Sequence, residues 1–120
     1  MPNPFVHVEL SSADLPASKA FYGALFDWQL RDVPLPNGGT YTLIDTGEGR
    51  GGGMLVSPVP NTPSIWLPYV AVPDLTASLA QAEALGASLV VPKTEVLGMG
   101  WLGIFRDPTG ALLGLWQAKS

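Results

Sequence analysis

The sequence contains no cysteine. Disulfides and thiolate metal sites are therefore excluded. Charge is also scarce: charged residues make up 13% of the 120 positions, with a formal net charge of −4. The basic residues Lys19, Arg31, Arg50, Lys93, Arg106 and Lys119 are scattered along the chain. Nucleic-acid binding draws on a basic stripe that displaces phosphate counterions, so no nucleic-acid partner is expected. No run approaches the roughly 18 apolar residues that would cross a bilayer, and no membrane partner is expected either. The opening "MPNPFVHVEL" has neither a basic segment nor a long apolar one, which makes the cytoplasm the expected location. Histidine occurs once, at His7.

What is present in quantity is apolar: 47% of residues are hydrophobic. A chain of this length buries roughly two-thirds of its unfolded surface, so a single domain over 1–120 needs no covalent staple. Two helix signals stand out. "DLPASKAFYGALFDW" opens on Asp14 as an N-cap and places Pro16 in the first turn, where a missing N–H costs little. Phe21, Tyr22, Leu25 and Phe26 follow at helical spacing. "DLTASLAQAEALGASLV" opens on Asp74 and carries Leu75, Leu79, Ala82 and Leu85 in the same rhythm, with Gly86 as its stop.

The two segments stand 60 residues apart and share seven identities in a window of twelve. Without a gap, Ile44 also meets Ile104 and Leu55 meets Leu115. The chain reads as a tandem duplication. Each copy has the order strand, helix, three strands. The first module covers about 4–58 and the second about 65–118, joined by a proline-rich linker near 58–64. "PNGG" at Pro36–Gly39 reads as a hairpin turn, and "DPTG" at Asp107–Gly110 as a type I turn.

Two βαβββ units with the helix "DLPASKAFYGALF", the loop "LGMGW" and the closing "DPTGALLGLWQ" resemble the vicinal oxygen chelate superfamily. That group includes glyoxalase I, fosfomycin- and bleomycin-resistance proteins and extradiol dioxygenases. The resemblance implies an α+β fold in which two tandem βαβββ modules form a curved mixed-sheet cup, and it implies a homodimer. It also implies four metal-ligand positions, on the first and last strands of each unit. The first, seven residues before Asp14, is His7. Its equivalent in the second unit is Leu67, and the last-strand positions are Gly114 and, by the 60-residue offset, Met54. One ligand in four is left, where a divalent ion needs three or four N or O donors. No metal and no cofactor are expected.

Strand alternation puts Glu9 on the same face as His7. Met54, Leu67, Tyr69, Gly114 and Trp116 are expected to join them, giving an apolar, aromatic wall with His7 and Glu9 as its polar features. Trp28, Trp66 and Trp101 read as core or interface residues. "GEGRGG" at Gly47–Gly52 matches a dinucleotide-loop spacing but enters a short apolar strand instead of a helix, so it reads as a glycine-rich hairpin. Ser11, Ser12 and Ser18 near the helix start read as caps. The expected function is metal-independent binding or sequestration of an aromatic or cationic small molecule, in the manner of bleomycin-resistance proteins. The alternative is a glyoxalase-like lyase or isomerase, or a dioxygenase-type enzyme, using His7 with Glu9.

Overall fold

The computed structural model describes residues 2–35, 38–48, 51–57, 61–96 and 98–119. The element order is β1 (Phe5–Ser12), α1 (Leu15–Leu25), β2 (Gln29–Pro34), β3 (Thr40–Asp45), β4 (Gly52–Val56), then β5 (Ile65–Ala71), α2 (Leu75–Ala84), β6 (Ser88–Val96), β7 (Gly100–Arg106) and β8 (Leu112–Ala118). This is the α+β fold of two βαβββ modules. The expected turn at Pro36–Gly39, the "GEGRGG" hairpin, the "LGMGW" loop and the linker each include residues outside the described set. No helix among the described residues is long and apolar enough to cross a membrane.

The chain divides into two compact units. One is His7–Leu67; the other joins the residues up to Val6 with those from Pro68 onward. In the first unit the strand order is β2-β3-β4-β1, with β1 and β4 parallel and the other pairs antiparallel. Helix α1 begins where the sequence places it: Asp14 accepts from the Ala17 amide at 3.2 Å. Ser12, fully buried, accepts from the Asp14 amide at 3.0 Å and meets the Ser18 hydroxyl at 2.7 Å, so both serines tie the helix start to β1. Leu15 of the helix packs with Leu10, Ile44 and Met54, flanked by Tyr22, Trp28 and Leu30. The helix's apolar stripe is only partly covered, and Phe21 and Leu25 stay exposed.

The second unit repeats the plan with the order β6-β7-β8-β5. Asp74 caps α2 by accepting from the Ala77 amide at 3.1 Å, and the Gln117 side chain accepts from the Leu75 amide at 2.7 Å. Leu75, Leu79 and Leu115 make the core, with Val70, Val72, Trp101 and Phe105 against it. Gly86 follows the helix at φ +107, a left-handed conformation that suits glycine. At Asp107, hydrogen bonds from the Thr109 hydroxyl and the Ala111 amide hold the carboxyl below its ordinary range and close the expected turn.

The strand register corrects the internal alignment. Glu9 pairs with Gly53 in the first unit, and Tyr69, the equivalent of Glu9, pairs with Gly114 in the second. The last strands are therefore offset by 61 residues, not 60, and Gly114 corresponds to Gly53, not Met54. Strand β3 shifts likewise: Leu43 faces Gly53 as Ile104 faces Gly114, so Ile44 corresponds to Phe105. The cause lies around β6: it begins 59 residues after β2, since Ser88 faces Arg106 as Gln29 faces Asp45, and its pairing with β7 then slips between Leu89 and Val91 and again between Val91 and Thr94. Each slip is a bulge that adds one residue to the strand without moving its ends across the sheet.

Candidate functional site

Strand β1 alternates as expected. Leu10 and Ser12 point to the helix side, while His7 and Glu9 point to the other face. There they meet Tyr41 of β3, a residue the sequence reading did not select. The Tyr41 hydroxyl lies 2.8 Å from His7 Nε2 and donates to Glu9 Oε2 at 2.8 Å. His7 Nε2 and Glu9 Oε2 are themselves 3.9 Å apart. A phenol has one proton; because it goes to the carboxylate, His7 Nε2 must be the donor to the phenol oxygen. The order is therefore imidazole N–H, phenol O–H, carboxylate.

Burial is graded along this row. The His7 side chain keeps 32% of its surface and Glu9 only 10%. Tyr41 is buried, and its ring stacks near His7 with centroids 6.5 Å apart. The space for that ring exists because Gly53 lies directly under it, where a Cβ would overlap the phenol. Tyr41 could have been found only by knowing that β3 places it two strands from Glu9 and that residue 53 has no side chain.

Burial lowers the His7 pKa below its ordinary 6.5. The folded chain therefore binds that proton less readily than the unfolded chain. The stability linked to neutral His7 is complete above about pH 6.5 and is lost as the pH falls through the lowered folded value. Urea midpoints measured from pH 5 to 8 should rise with pH up to about 6.5 and level off above it, and His7→Gln should flatten the rise. Tyr41→Phe keeps the ring over Gly53 but removes the donor to Glu9. We expect it to cost about 1.5 kcal/mol in urea unfolding, typical of one hydrogen bond to a charged group.

The other residues singled out in the sequence divide between the faces. Met54 does not join His7 and Glu9: it is fully buried among Leu10, Leu15 and Ile44 on the helix side. Its place on the His7 face is taken by Gly53. Leu67 is buried on β5. In the second unit Tyr69, 2% exposed, covers Gly114, where a Cβ would run into its ring. Trp116, opposite Ala71, lies against Gly100. Each unit thus sets a tyrosine ring over the glycine that faces its first strand.

The side chains do not fit the metal of the related enzymes. The four ligand positions, corrected for register, hold His7, Gly53, Leu67 and Gly114, and His7 Nε2 is already engaged by Tyr41. Among the described residues no group of three or more His, Asp or Glu could hold a metal ion.

Comparison with known proteins gives four findings. The model of the Glyoxalase/Bleomycin resistance protein/Dioxygenase superfamily matches residues 5–115. A Mycobacterium bovis protein named "Putative glyoxylase CFP32" is 34% identical over 116 residues, covering 93% of this chain and 44% of the relative. The anthracycline biosynthesis protein DnrV of Streptomyces peucetius is 30% identical over 128 residues, covering 91% of this chain and 45% of the relative. The chain spans less than half the length of these curated relatives. Among solved structures, methylmalonyl-CoA epimerase from Mycobacterium tuberculosis superposes with a TM-score of 0.68 over 97% of this chain and 88% of the other, at 16% identity. That likeness concerns the fold alone.

Proposed function

The chain belongs to the Glyoxalase/Bleomycin resistance protein/Dioxygenase superfamily, and from that premise we propose that it binds a small organic molecule without a metal, at the face carrying His7, Tyr41 and Glu9. The observation that supports this most is the hydrogen-bonded row itself. It puts a neutral, partly exposed imidazole in front of a buried carboxylate. A polar group of the ligand meets His7, and the carboxylate behind Tyr41 favours a ligand with a donor or positive charge there. Binding or sequestration of an aromatic or cationic metabolite, by a homodimer in the cytoplasm, is the reading that follows. The name of the anthracycline biosynthesis relative is in keeping with an aromatic ligand.

A second reading rests on the direction of the same hydrogen bonds. A proton gained at His7 can be balanced by the Glu9 charge through the phenol, which is what a lyase or isomerase would need from an acid–base pair. The glyoxylase name of the mycobacterial relative points the same way.

Titration of the metal-stripped protein with zinc, nickel, manganese and ferrous iron tests the first reading. We expect no binding tighter than about millimolar. Micromolar binding that disappears in His7→Ala would overturn the metal-independent proposal. A ligand found by screening should bind at least tenfold more weakly to His7→Ala. Turnover of that ligand, lost in His7→Ala while its affinity is kept, would decide for the enzyme.

A further inference from the structure

The first unit has a concavity on its opposite face. A cavity of about 500 Å³ opens between the C-terminal end of α1 and the sheet, within the range that small-molecule sites occupy. Its walls carry four aromatic rings: Tyr22, Phe26, Trp28 and Trp66. Trp66 stands nearly perpendicular to Tyr22 and to Trp28, at centroid distances of 5.3 and 6.3 Å, so the rings form a corner. Val8 lines the same space. On β1 it alternates with His7 and Glu9, so this cavity is separate from the site above and does not depend on that reading.

The chemistry of the lining selects its occupant. No lining residue carries a charge. Its polar side-chain atoms are few: Trp66 Nε1 donates to the Tyr22 hydroxyl at 3.2 Å, and the Thr46 hydroxyl donates to the Glu48 carbonyl at 2.9 Å. An anion would lose its hydration here without gaining a partner, and a cation would recover only part of its own from the ring faces. A flat uncharged ring system would lose little and would gain stacking on the indoles. Phe26, Trp66 and Val8 are all exposed. Leaving that much aromatic surface in water is what a site for an apolar ligand does and a finished core does not. At 38% exposed, Trp66 is not a core residue of the chain alone.

We propose that this cavity is a binding site for an uncharged, planar polycyclic aromatic molecule. A matched set of anthracene probes tests it, read by the fluorescence of the anthracene itself: 9-anthracenemethanol, anthracene-9-carboxylate and 9-anthracenemethylammonium. The alcohol should bind saturably at one site in the micromolar range, with both ions at least tenfold weaker. Phe26→Ala and Trp66→Ala should each weaken the alcohol at least tenfold. Val8→Asp, which sets a carboxylate at the mouth, should do the same. The folds of all three variants are checked by circular dichroism, and two exposed positions besides Trp66 keep the test decisive if one variant fails to fold. Four results would each overturn the proposal. These are no saturable binding of the alcohol, the ammonium probe binding as tightly as the alcohol, His7→Ala weakening the alcohol as much as Phe26→Ala does, or Phe26→Ala and Trp66→Ala dissociating a dimer in sedimentation velocity, which would put a second copy of the chain over the cavity.

Discussion

Gly53→Ala is expected to disable the His7 site and to lower stability by about 3 kcal/mol, near the upper end for overpacking a buried position. The cause is one atom. A Cβ at Gly53 would occupy the space of the Tyr41 phenol, whose ring is buried and cannot swing into solvent without uncovering Glu9. Any displacement lengthens both of the 2.8 Å hydrogen bonds that Tyr41 makes. Two measurements separate the effects. Urea unfolding gives the stability change, and the His7 imidazole shifts followed by NMR through a pH titration report whether its partner has moved. An unchanged His7 titration would mean that the ring tolerates the methyl group and that Gly53 is not required for the site.

The neighbouring substitution should do the reverse. Met54→Ala is expected to cost about 3 kcal/mol, the usual scale for emptying a fully buried methionine site, while a folded fraction keeps its ligand affinity. Met54 is 0% exposed and packs with Leu10, Leu15 and Ile44 beneath the helix. Its removal leaves a cavity on the side away from His7. Thermal melts should show a drop of about 10 °C, with the His7 titration unchanged. Adjacent residues with opposite phenotypes would follow directly from strand alternation, since one residue along β4 changes the face. A ligand affinity that fell tenfold in Met54→Ala at full folding would instead return Met54 to the His7 face.

That pair also shows where the sequence was legible and where it was not. The helices, their aspartate caps and the two-module plan follow from local chemistry, because a cap acts over three residues and a helical stripe repeats within one element. His7 and Glu9 could be put on one face for the same reason. Tyr41 could not, since its role depends on which strand neighbours which and on the missing side chain at Gly53. Met54 lies on the face opposite to the expected one because the one-residue-shorter connection into β6 and the two bulges within it are both invisible to an ungapped alignment. The chance identities of Ile44 with Ile104 and Leu55 with Leu115 pointed to the wrong offset, where the strand register shows 61. The aromatic corner around Trp66 was hidden for another reason: apolar residues read from sequence are assumed to be covered.

The bulges in β6 also bear on any attempt to build new proteins from the halves of this one. A chimaera joined within the helices can exchange residues at a spacing of 60, because the caps Asp14 and Asp74 keep that distance. A chimaera joined at the third or fourth strand of a module must be cut at a spacing of 61. A designer who used one spacing throughout would turn an entire strand over, exposing its core residues and burying its polar ones. The duplicated halves are thus interchangeable parts only up to the end of the helix, and beyond it they carry different threads.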